Sequence, residues 1–457
     1  MVVFMQQQMS KLSILPNYTI DIKVTHNPHK FALTDLFKMA ARINKKRQFL
    51  FVSTVLGKHL AVRPQVPLLT GTLLAMMYNQ HLTGQQVITM QSVVEALKEG
   101  TELDGIRNST EGCMQLSEKT LFIGFAETAT ALGHAVFNAF QTNAMYIHTT
   151  REVLPDFEPF VTFEEEHSHA TSHRIYTEEP DIILQAKRIV LIDDEITTGN
   201  TVINIIQTLK QKFPLVREYA VLSILDWRSE QQQMVFQQLE KQWGISIEFI
   251  AIMCGQFSCS GTPNLARKQP KITTHAAQNM TLLPIKESLD CKYYRSIAEN
   301  GLVNNQPYVL ATGRFMLTSK QHIEQKKMLQ AIAEQLKELR TDGPALVVGT
   351  GEFMYVPMQI ASYLGEDVYF QSSTRSPIYC TDELDYTINE KIVFESPENN
   401  GVENYLYNIQ SRPYLELFFI VERIASKEII AHLVEALQST SRAKIYVICM
   451  HEMEVER

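Results

Sequence analysis

The segment with the clearest chemistry is IVLIDDEITTGNT, residues 189–201. Its apolar residues predict a buried strand, two carboxylates (Asp193 and Asp194) follow at the end, and a turn rich in threonine opens the next segment. Where a strand ends and a helix begins, backbone N–H groups, hydroxyls and the helix dipole converge on an anion. We therefore expect the turn to bind a phosphate, with its glycine allowing close approach of the backbone. The residues of this predicted phosphate site are Thr197, Thr198, Gly199, Asn200 and Thr201.

The two carboxylates indicate the rest of the ligand. Ionised carboxylates only accept hydrogen bonds, so Asp193 and Asp194 suit the vicinal hydroxyls of a sugar and not the phosphate itself. The combination predicts a sugar phosphate. A Walker-type phosphate loop is excluded because the chain contains no GxxxxGK[ST]. The remaining alternative is an acidic strand end that occurs by chance in another α/β fold.

The elements that must position this segment alternate along the first half of the chain. Strand-length apolar runs occupy 121–127, 144–150, 188–194 and 217–227. After the third run, residues of helical period fall on one face, namely Val202, Ile205, Ile206 and Leu209. This alternation predicts an α/β fold with a doubly wound parallel sheet that carries helices on both faces.

The second half of the sequence resembles a degenerate duplicate of the first, at an offset of about 225 residues. The alignment places Glu127 against Glu352, Arg151 against Arg375, and the acidic pair against 421–423. The alternative is that any two βαβ segments look alike at this level. A stretch rich in Ser, Gly, Pro and basic residues separates the halves. We expect three parts, namely a first domain at 1–255, a linker at 256–275 and a second α/β domain at 276–457.

Composition narrows the class of protein. The 457 residues are 45% hydrophobic and 20% charged, which is typical of globular domains, and the net charge of −8 favours neither nucleic acid nor an anionic membrane. The six cysteines form no CxxC pair, which argues against a zinc site and for a reducing compartment. The start MVVFMQQQMSKL lacks signal-peptide features, and no apolar run approaches bilayer length. These observations predict a cytoplasmic protein.

The acidic segment resembles the PRPP-binding motif of the type I phosphoribosyltransferases at nearly all of its positions. Glu195 departs from the motif, because an apolar residue often follows the acidic pair in that family. The resemblance implies a type I fold and transfer of a phosphoribosyl group from PRPP to a nitrogenous base with release of pyrophosphate. It implies that Asp193 and Asp194 are catalytic, holding the ribose hydroxyls, and that the cofactor Mg²⁺ is bound mainly through PRPP and by these two carboxylates.

Members of the family also carry a pyrophosphate loop after an earlier strand, and GFAETAT at 124–130 occupies that place. The resemblance implies pyrophosphate contacts from Ala126, Glu127, Thr128 and Arg151. The alternatives are that Glu127 caps a helix and that Arg151 is simply exposed.

A long polar stretch lies between Arg151 and Glu179, where the family has a flexible loop that closes over the reacting sugar. It contains the cluster EEEHSHATSH at 164–173. The resemblance implies that His167 and His169 act in catalysis on this lid. Metal binding by these two histidines and a solvated acidic loop are the alternatives.

A basic segment at 43–64 corresponds to the variable hood that contacts the acceptor base in the family. It makes Lys46, Arg47, Lys58 and His59 candidates for the acceptor pocket. Basic surface residues beside a core strand are the alternative. Because hood residues vary freely, they do not identify the base.

Three motifs together, NKKRQFLFVSTVLGKH, FEEEHSHAT and TRSP at 374–377, resemble one bacterial group. Its members pair an orotate-phosphoribosyltransferase-like domain with a C-terminal TRSP domain and are encoded among tellurium-resistance and stress-response genes. The resemblance implies a role in making a nucleoside-like metabolite, a homodimer, and partners from the same gene cluster. In the second domain Glu422 and Arg423 replace the acidic pair, so we expect no PRPP there.

The second domain then either binds another anion or forms an interface. The candidate anion residues are Gly351, Glu352, Thr374, Arg375 and Ser376. For the whole chain, three alternatives to a synthetic transferase stay open: a non-catalytic PRPP or nucleotide sensor, an enzyme of the reverse or a lytic reaction, and a scaffold in a biosynthetic complex.

Overall fold

The computed structural model describes residues 8–44, 47–164, 172–265, 280–283, 285, 289–298, 301–398, 403–424, 427–438 and 442–451. These residues form two α/β lobes. The first lobe comprises the described residues from 8 to 265, and the second lobe comprises those from 280 to 451.

The first lobe contains the predicted alternation of strands and helices. Its strands are β1 (Gln8–Leu15), β2 (Tyr18–His26), β3 (Phe37–Ala41), β4 (Phe49–Ser53), β5 (Thr120–Gly124), β6 (Ala144–His148), β7 (Val161–Glu164), β8 (Ser172–Ile175), β9 (Arg188–Ile196), β10 (Glu218–Asp226) and β11 (Ser246–Gly261). Its helices are α1 (Leu33–Leu36), α2 (Gln65–Thr83), α3 (Met90–Glu99), α4 (Leu103–Thr110), α5 (Ala129–Phe137), α6 (Pro180–Ile183), α7 (Asn200–Lys212) and α8 (Glu230–Trp243).

The second lobe repeats the pattern. Its strands are β12 (Met280–Leu283), β13 (Cys291–Lys292), β14 (Ser296–Ile297), β15 (Val303–Asn304), β16 (Tyr308–Val309), β17 (Leu317–Thr318), β18 (Ala345–Gly349), β19 (Val368–Ser372), β20 (Lys391–Glu395), β21 (Glu403–Tyr407), β22 (Glu416–Val421) and β23 (Lys444–Cys449). Its helices are α9 (Ser319–Lys337), α10 (Tyr355–Ala361) and α11 (Lys427–Gln438), with 3₁₀ turns at Leu310–Thr312 and Ile409–Ser411.

The first lobe is a doubly wound sheet in which β6, β5, β9, β10 and β11 run parallel in that order. The chain moves outward in one direction from β5 to β6 and in the other from β9 to β11. Because such crossovers are right-handed, α5 and α7 pack on opposite faces of the sheet. The order reverses between β5 and β9, and ligands of open α/β sheets bind in the crevice at such a point.

The second lobe has the same parallel order, β19, β18, β22, β23 and β12. Registers give residue equivalences, because Thr120 pairs with Arg188 in the first lobe as Ala345 pairs with Glu416 in the second. By this register, Val421 and Glu422 of the second lobe are equivalent to Asp193 and Asp194 of the first. Arg423 is equivalent to Glu195. The second lobe is therefore built as a degenerate duplicate of the first.

Each lobe pairs a short extended segment with an edge strand of the other lobe. Leu317 and Thr318 of β17, just before α9, pair antiparallel with β6 of the first lobe. Reciprocally, Val62, just before α2, forms an antiparallel bridge with Phe370 on β19 of the second lobe. Apolar residues also cross the boundary, since the hydrophobic core of the second lobe includes first-lobe residues, namely Leu68, Ala131 and Ala135.

One boundary differs from the sequence-based expectation. The linker expected at 256–275 starts inside β11, which continues to Gly261 because its second half pairs antiparallel with β2, for example Phe257 with Ile22. The β1–β2 hairpin thus extends the sheet, although the Ser- and Gly-rich composition there suggested a loop. The remaining linker residues from 266 lie outside the described residues. Among the helices of the described ranges, none has both the length and the apolar character to cross a bilayer.

Candidate functional site

The predicted phosphate turn lies at the crevice between β5 and β9. Strand β9 ends at Ile196 and α7 begins at Asn200, so Gly199 stands just before the first turn of the helix. Gly199 has φ +82°, and a Cβ atom there would lie 2.6 Å from the Phe236 ring. The position therefore requires glycine both for its backbone conformation and for space. The N–H groups of the first turn of α7, of which that of Asn200 donates to the Thr198 hydroxyl (3.3 Å), lie beside the end of β9, where an anion site is expected.

Arg228, which the sequence analysis did not identify, packs against this turn. Its guanidinium donates to both carboxylate oxygens of Asp226, with Nε–Oδ1 of 3.0 Å and Nη2–Oδ2 of 2.7 Å, and lies 3.2 Å from the centre of the Phe249 ring. Its Cδ would lie 3.3 Å from a Cβ on Gly199. Arg228 is a buried positioning residue, and the only signal in the sequence was an Asp-Trp-Arg run at the end of a buried strand.

The acidic end of β9 carries three adjacent carboxylates. The Asp194 N–H donates to Oδ1 of Asp193 (2.9 Å), and burial raises the pKa of Asp194. Glu195, the departure from the family motif, accepts a hydrogen bond from Nη2 of Arg47 at 2.6 Å. Burial raises the pKa of Glu195 and the Arg47 charge opposes the shift. Arg47, a candidate for the acceptor pocket, thus lies against the acidic strand end.

The loop between β5 and α5, residues 124–130, is named the first anion loop. It lies next to β9, because the Phe125 N–H donates to the carbonyl oxygen of Ile192 (3.1 Å). The Ala126 N–H donates to the Thr149 hydroxyl (2.9 Å), and the Ala126–Glu127 peptide bond is cis. Thr128 directly precedes α5. The structure therefore brings this loop and the acidic strand end together in one crevice.

Glu127 of the first anion loop is buried among cations. It forms an ion pair with Lys58, whose side chain is only 1% exposed, and its Oε2 lies 3.8 Å from Nε of Arg375 in the second lobe. Burial would raise the pKa of Glu127, but the charges of Lys58 and Arg375 outweigh it and hold the pKa below its ordinary value. Lys58 also donates to the carbonyl oxygen of Gly351 (2.9 Å). Lys58 therefore lies at the first anion loop and at the lobe interface.

His59, another acceptor-pocket candidate, lies beside this cluster. It is 7% exposed, and neither ring nitrogen has a hydrogen-bond partner within the described residues. Burial, with the nearby Lys58 charge, lowers the pKa of His59 to about 3, so the ring is neutral. Lys46 lies outside the described residues.

The stem of the predicted lid is the β7–β8 hairpin, which packs over the first anion loop. His173 on β8 hydrogen bonds through Nδ1 with the Thr149 hydroxyl (2.9 Å) and stacks on Phe163, with 5.2 Å between ring centres. Phe163 in turn contacts Phe125 of the loop, at 6.1 Å between ring centres. The stem is thereby connected to the crevice. His167 and His169 lie outside the described residues.

The second-lobe residues proposed for an anion site lie at the interface with the first lobe. Glu352 accepts hydrogen bonds from the Thr150 hydroxyl (2.7 Å), the Arg151 N–H (3.1 Å) and Nη1 of Arg314 (2.7 Å). Burial opposes ionisation of Glu352, but Arg314 and these hydrogen bonds hold its pKa well below the ordinary range. Gly351 contacts Lys58 as described, and Thr374, Arg375 and Ser376 follow β19 on the same side.

The crevice between β5 and β9 is called the first crevice. Its residues fit a magnesium ion that binds together with a phosphate ligand. Within the described residues, His, Cys, Asp and Glu form no group of three or more that could hold a metal. Mg²⁺ in phosphate sites takes one or two carboxylates and completes its shell with phosphate oxygens and water. Asp193 and Asp194 supply carboxylates of that kind at the predicted sugar phosphate site.

Comparison with known proteins agrees with this division of the chain. Residues 36–256 match a family model described as "Phosphoribosyl transferase", and residues 311–437 match one described as "TRSP domain C terminus to PRTase_2". No curated protein matches the chain by sequence.

Solved structures with local similarity include two adenine phosphoribosyltransferases. The Trypanosoma brucei enzyme, solved with AMP, pyrophosphate and ribose-5-phosphate, is 13% identical over 53% of this chain and 86% of its own, with a TM-score of 0.28. The Rhodothermus marinus enzyme is 11% identical over 49% and 96%, with a TM-score of 0.27. Orotate phosphoribosyltransferase of Mycobacterium tuberculosis is 10% identical over 48% and 91%, with a TM-score of 0.23.

The two family matches do not overlap, follow each other in the order that their descriptions state, and together cover well over half of the chain. The first match contains the acidic strand end, the phosphate turn and the first anion loop, and the second contains the TRSP motif. Residues 36–256 are therefore a phosphoribosyl transferase domain by their family match, and residues 311–437 are the TRSP domain that follows it.

Proposed function

We propose that the first lobe transfers the phosphoribosyl group of PRPP to a nitrogenous base, with Mg²⁺ and with release of pyrophosphate. One observation carries the proposal: the phosphate turn, the acidic strand end and the first anion loop share a single crevice at the reversal of strand order, where the Phe125 N–H reaches the carbonyl oxygen of Ile192. PRPP presents a 5-phosphate, vicinal hydroxyls and a diphosphate, and each of these groups has a matching part of the crevice.

In this proposal the chain binds PRPP at three points. The turn from Thr197 to Thr201 holds the 5-phosphate, so binding energy from a remote group orients the reacting carbon. Asp193 and Asp194 accept hydrogen bonds from the ribose hydroxyls and stabilise positive charge that develops at the anomeric carbon. The first anion loop holds the diphosphate through its backbone N–H groups, with Arg151 nearby.

The bond from the anomeric carbon to the diphosphate oxygen breaks as a base nitrogen forms the new bond on the opposite face. When bound, Mg²⁺ neutralises charge on the leaving diphosphate. The β7–β8 hairpin, connected to the loop through His173 and Phe163, excludes water that would otherwise hydrolyse the reacting sugar. His167 and His169, which lie between β7 and β8 in the sequence, are proposed to take part in catalysis.

The test combines isothermal titration of the protein with PRPP, with and without Mg²⁺, and an assay of PRPP turnover by pyrophosphate release. Wild type should bind in a Mg²⁺-dependent manner, and the double variant Asp193→Asn with Asp194→Asn should lose turnover by at least about 100-fold while remaining folded. The exposed Asp382 gives a matched control, Asp382→Asn, which should behave as wild type. A fully active double variant would disprove the assignment.

Screening of nitrogenous bases for pyrophosphate release then identifies the acceptor. Pyrophosphate released only in the presence of a particular base would establish transfer and name the base. PRPP binding without release by any base would favour a sensor.

A further inference from the structure

The TRSP segment of the second lobe, Thr374 to Pro377, lies against the crevice of the first lobe. The Ile43 N–H of the first lobe donates to the carbonyl oxygen of Pro377 (3.2 Å). On its other side the segment is paired with β21, where the N–H groups of Thr374 and Tyr405 each donate to the other's carbonyl oxygen, at 3.0 and 2.8 Å. The backbone of Arg375 is thus fixed between the two lobes.

The side chain of Arg375 has donors to spare. Its one ion pair is the 3.8 Å approach of Nε to Glu127, and it makes no hydrogen bond within the described part of the chain. Glu127 is already paired with the buried Lys58. The Arg375 side chain is 23% exposed, so a ligand in the crevice could reach it. Beside it, the Ser376 hydroxyl oxygen is buried and has no partner among the described residues.

The second lobe has an equivalent crevice where β18 and β22 end, called the second crevice. Comparison of the two crevices indicates the role of Arg375 and Ser376. Gly124 pairs with His148 in the first lobe as Gly349 pairs with Ser372 in the second. Counting on from these strand ends, Arg151 is equivalent to Arg375, and Glu152 is equivalent to Ser376.

In the second crevice the chain supplies its own carboxyl groups. Glu152 of the first lobe enters it, accepts a hydrogen bond from the Tyr308 hydroxyl and lies 3.7 Å from Nη1 of Arg314. Glu398 accepts a hydrogen bond from the hydroxyl of Thr350 (3.0 Å) in the loop equivalent to the first anion loop. Burial raises the pKa of Glu398 to about 8, so this crevice is occupied by carboxyl groups of the chain itself, of which Glu152 is the anion.

In the first crevice the equivalent of Glu152 is neutral Ser376, and the cation Arg375 shares its nearest carboxylate, Glu127, with Lys58. We propose that Arg375 and Ser376 of the second lobe bind the diphosphate of PRPP in the first lobe. A guanidinium offers paired donors whose spacing matches phosphate oxygens. The TRSP domain would then complete the transferase site within one chain. This inference rests on the function proposed above.

The experiment compares three ligands, inorganic pyrophosphate, PRPP and ribose 5-phosphate, by isothermal titration. Arg375→Gln should weaken pyrophosphate and PRPP at least about tenfold and leave ribose 5-phosphate within about twofold, because a lost charged hydrogen bond affects only the group it contacts. Arg412→Gln, at an exposed arginine of the second lobe that lies over Tyr369, is the matched control and should bind as wild type.

A second variant decides the matter if Arg375→Gln does not fold. Ser376→Glu places in the first crevice the carboxylate that Glu152 supplies in the second, so it should abolish pyrophosphate binding and preserve ribose 5-phosphate binding. Unchanged pyrophosphate affinity in either folded variant would overturn the inference while leaving the proposed function intact. Wild type that binds none of the three ligands would overturn both.

Discussion

His134 of the first lobe and His322 of the second share a buried hydrogen bond, with 3.2 Å between Nε2 and Nδ1. His322 also contacts Oδ1 of Asn138 through its Nε2 (2.7 Å). Because an amide oxygen only accepts, His322 Nε2 carries the proton there, its Nδ1 accepts, and His134 donates. The His134 ring lies parallel to Tyr355 of the second lobe, with 3.6 Å between ring centres. The lobes thus meet through two neutral imidazoles.

This pair predicts acid sensitivity. Burial and the nearby Lys326 lower the pKa of His322 to about 3, and burial also lowers the pKa of His134 well below its ordinary value. The unfolded chain binds these protons near pH 6.5 and the folded chain does not, so stability is complete above 6.5 and falls as the pH decreases below it. For His322 the loss between pH 7 and 5 is about 2 kcal/mol.

Denaturant unfolding of wild type and His322→Gln at both pH values measures this. The variant should lose about 2 kcal/mol less than wild type between pH 7 and 5. The exposed His81 provides the control, since His81→Gln should reproduce the wild-type pH dependence. Identical pH dependence in wild type and His322→Gln would contradict the prediction.

The phosphate turn allows a matched pair of glycine substitutions. Gly199 and Gly244 both have positive φ, +82° and +63°, but a Cβ on Gly199 meets Phe236 at 2.6 Å, whereas a Cβ on Gly244 meets nothing within 4 Å. Both Ala variants incur backbone strain of about 1–2 kcal/mol. Gly199→Ala should cost about 1–3 kcal/mol more from overpacking and should also weaken PRPP binding. Thermal unfolding and titration of both variants test this, and equal effects would refute it.

Glu352 is expected to be important for the cohesion of the two lobes. Its replacement by alanine removes the closest carboxylate, at 2.7 Å, from the buried Arg314. Removing one partner of a buried ion pair costs about 3–5 kcal/mol when the other charge is left alone. Because Arg314 keeps Glu422 at 3.4 Å and Glu152 at 3.7 Å, we expect the low end of this range, about 3 kcal/mol. Glu334→Ala, in an exposed pair with Lys337, should cost about 0–1 kcal/mol. Urea unfolding compares the two, and a Glu352→Ala cost no larger than the control would contradict this assignment.

Local sequence pattern predicted the parts of the fold that depend on periodicity. The apolar face expected for the helix after the acidic strand, Val202, Ile205, Ile206 and Leu209, is the set that α7 buries. The residue-by-residue alignment of the two halves agrees with the strand register. The alignment could be made from the sequence because parallel strands, buried on both faces, read as continuous apolar runs.

The contacts between the two lobes could not be predicted from a periodic sequence pattern. The contact of Glu127 with Arg375 joins residues far apart in sequence, and neither position has a periodicity that marks it. The sequence also did not show that β11 would continue past the parallel sheet, because its second half is stabilised by pairing with β2 and not by an apolar run. Contacts of this kind depend on which surfaces meet, and a single sequence encodes that only through packing.

The pairing of each lobe with an edge strand of the other affects how the chain avoids self-association. An outer strand with unpaired N–H and C=O groups is a template for aggregation. The outer side of β6 is covered by Leu317 and Thr318, and that of β19 by Val62, so each lobe protects an edge of the other. Either lobe produced alone would expose that edge. Solubility of each half should therefore depend on synthesis together with the other.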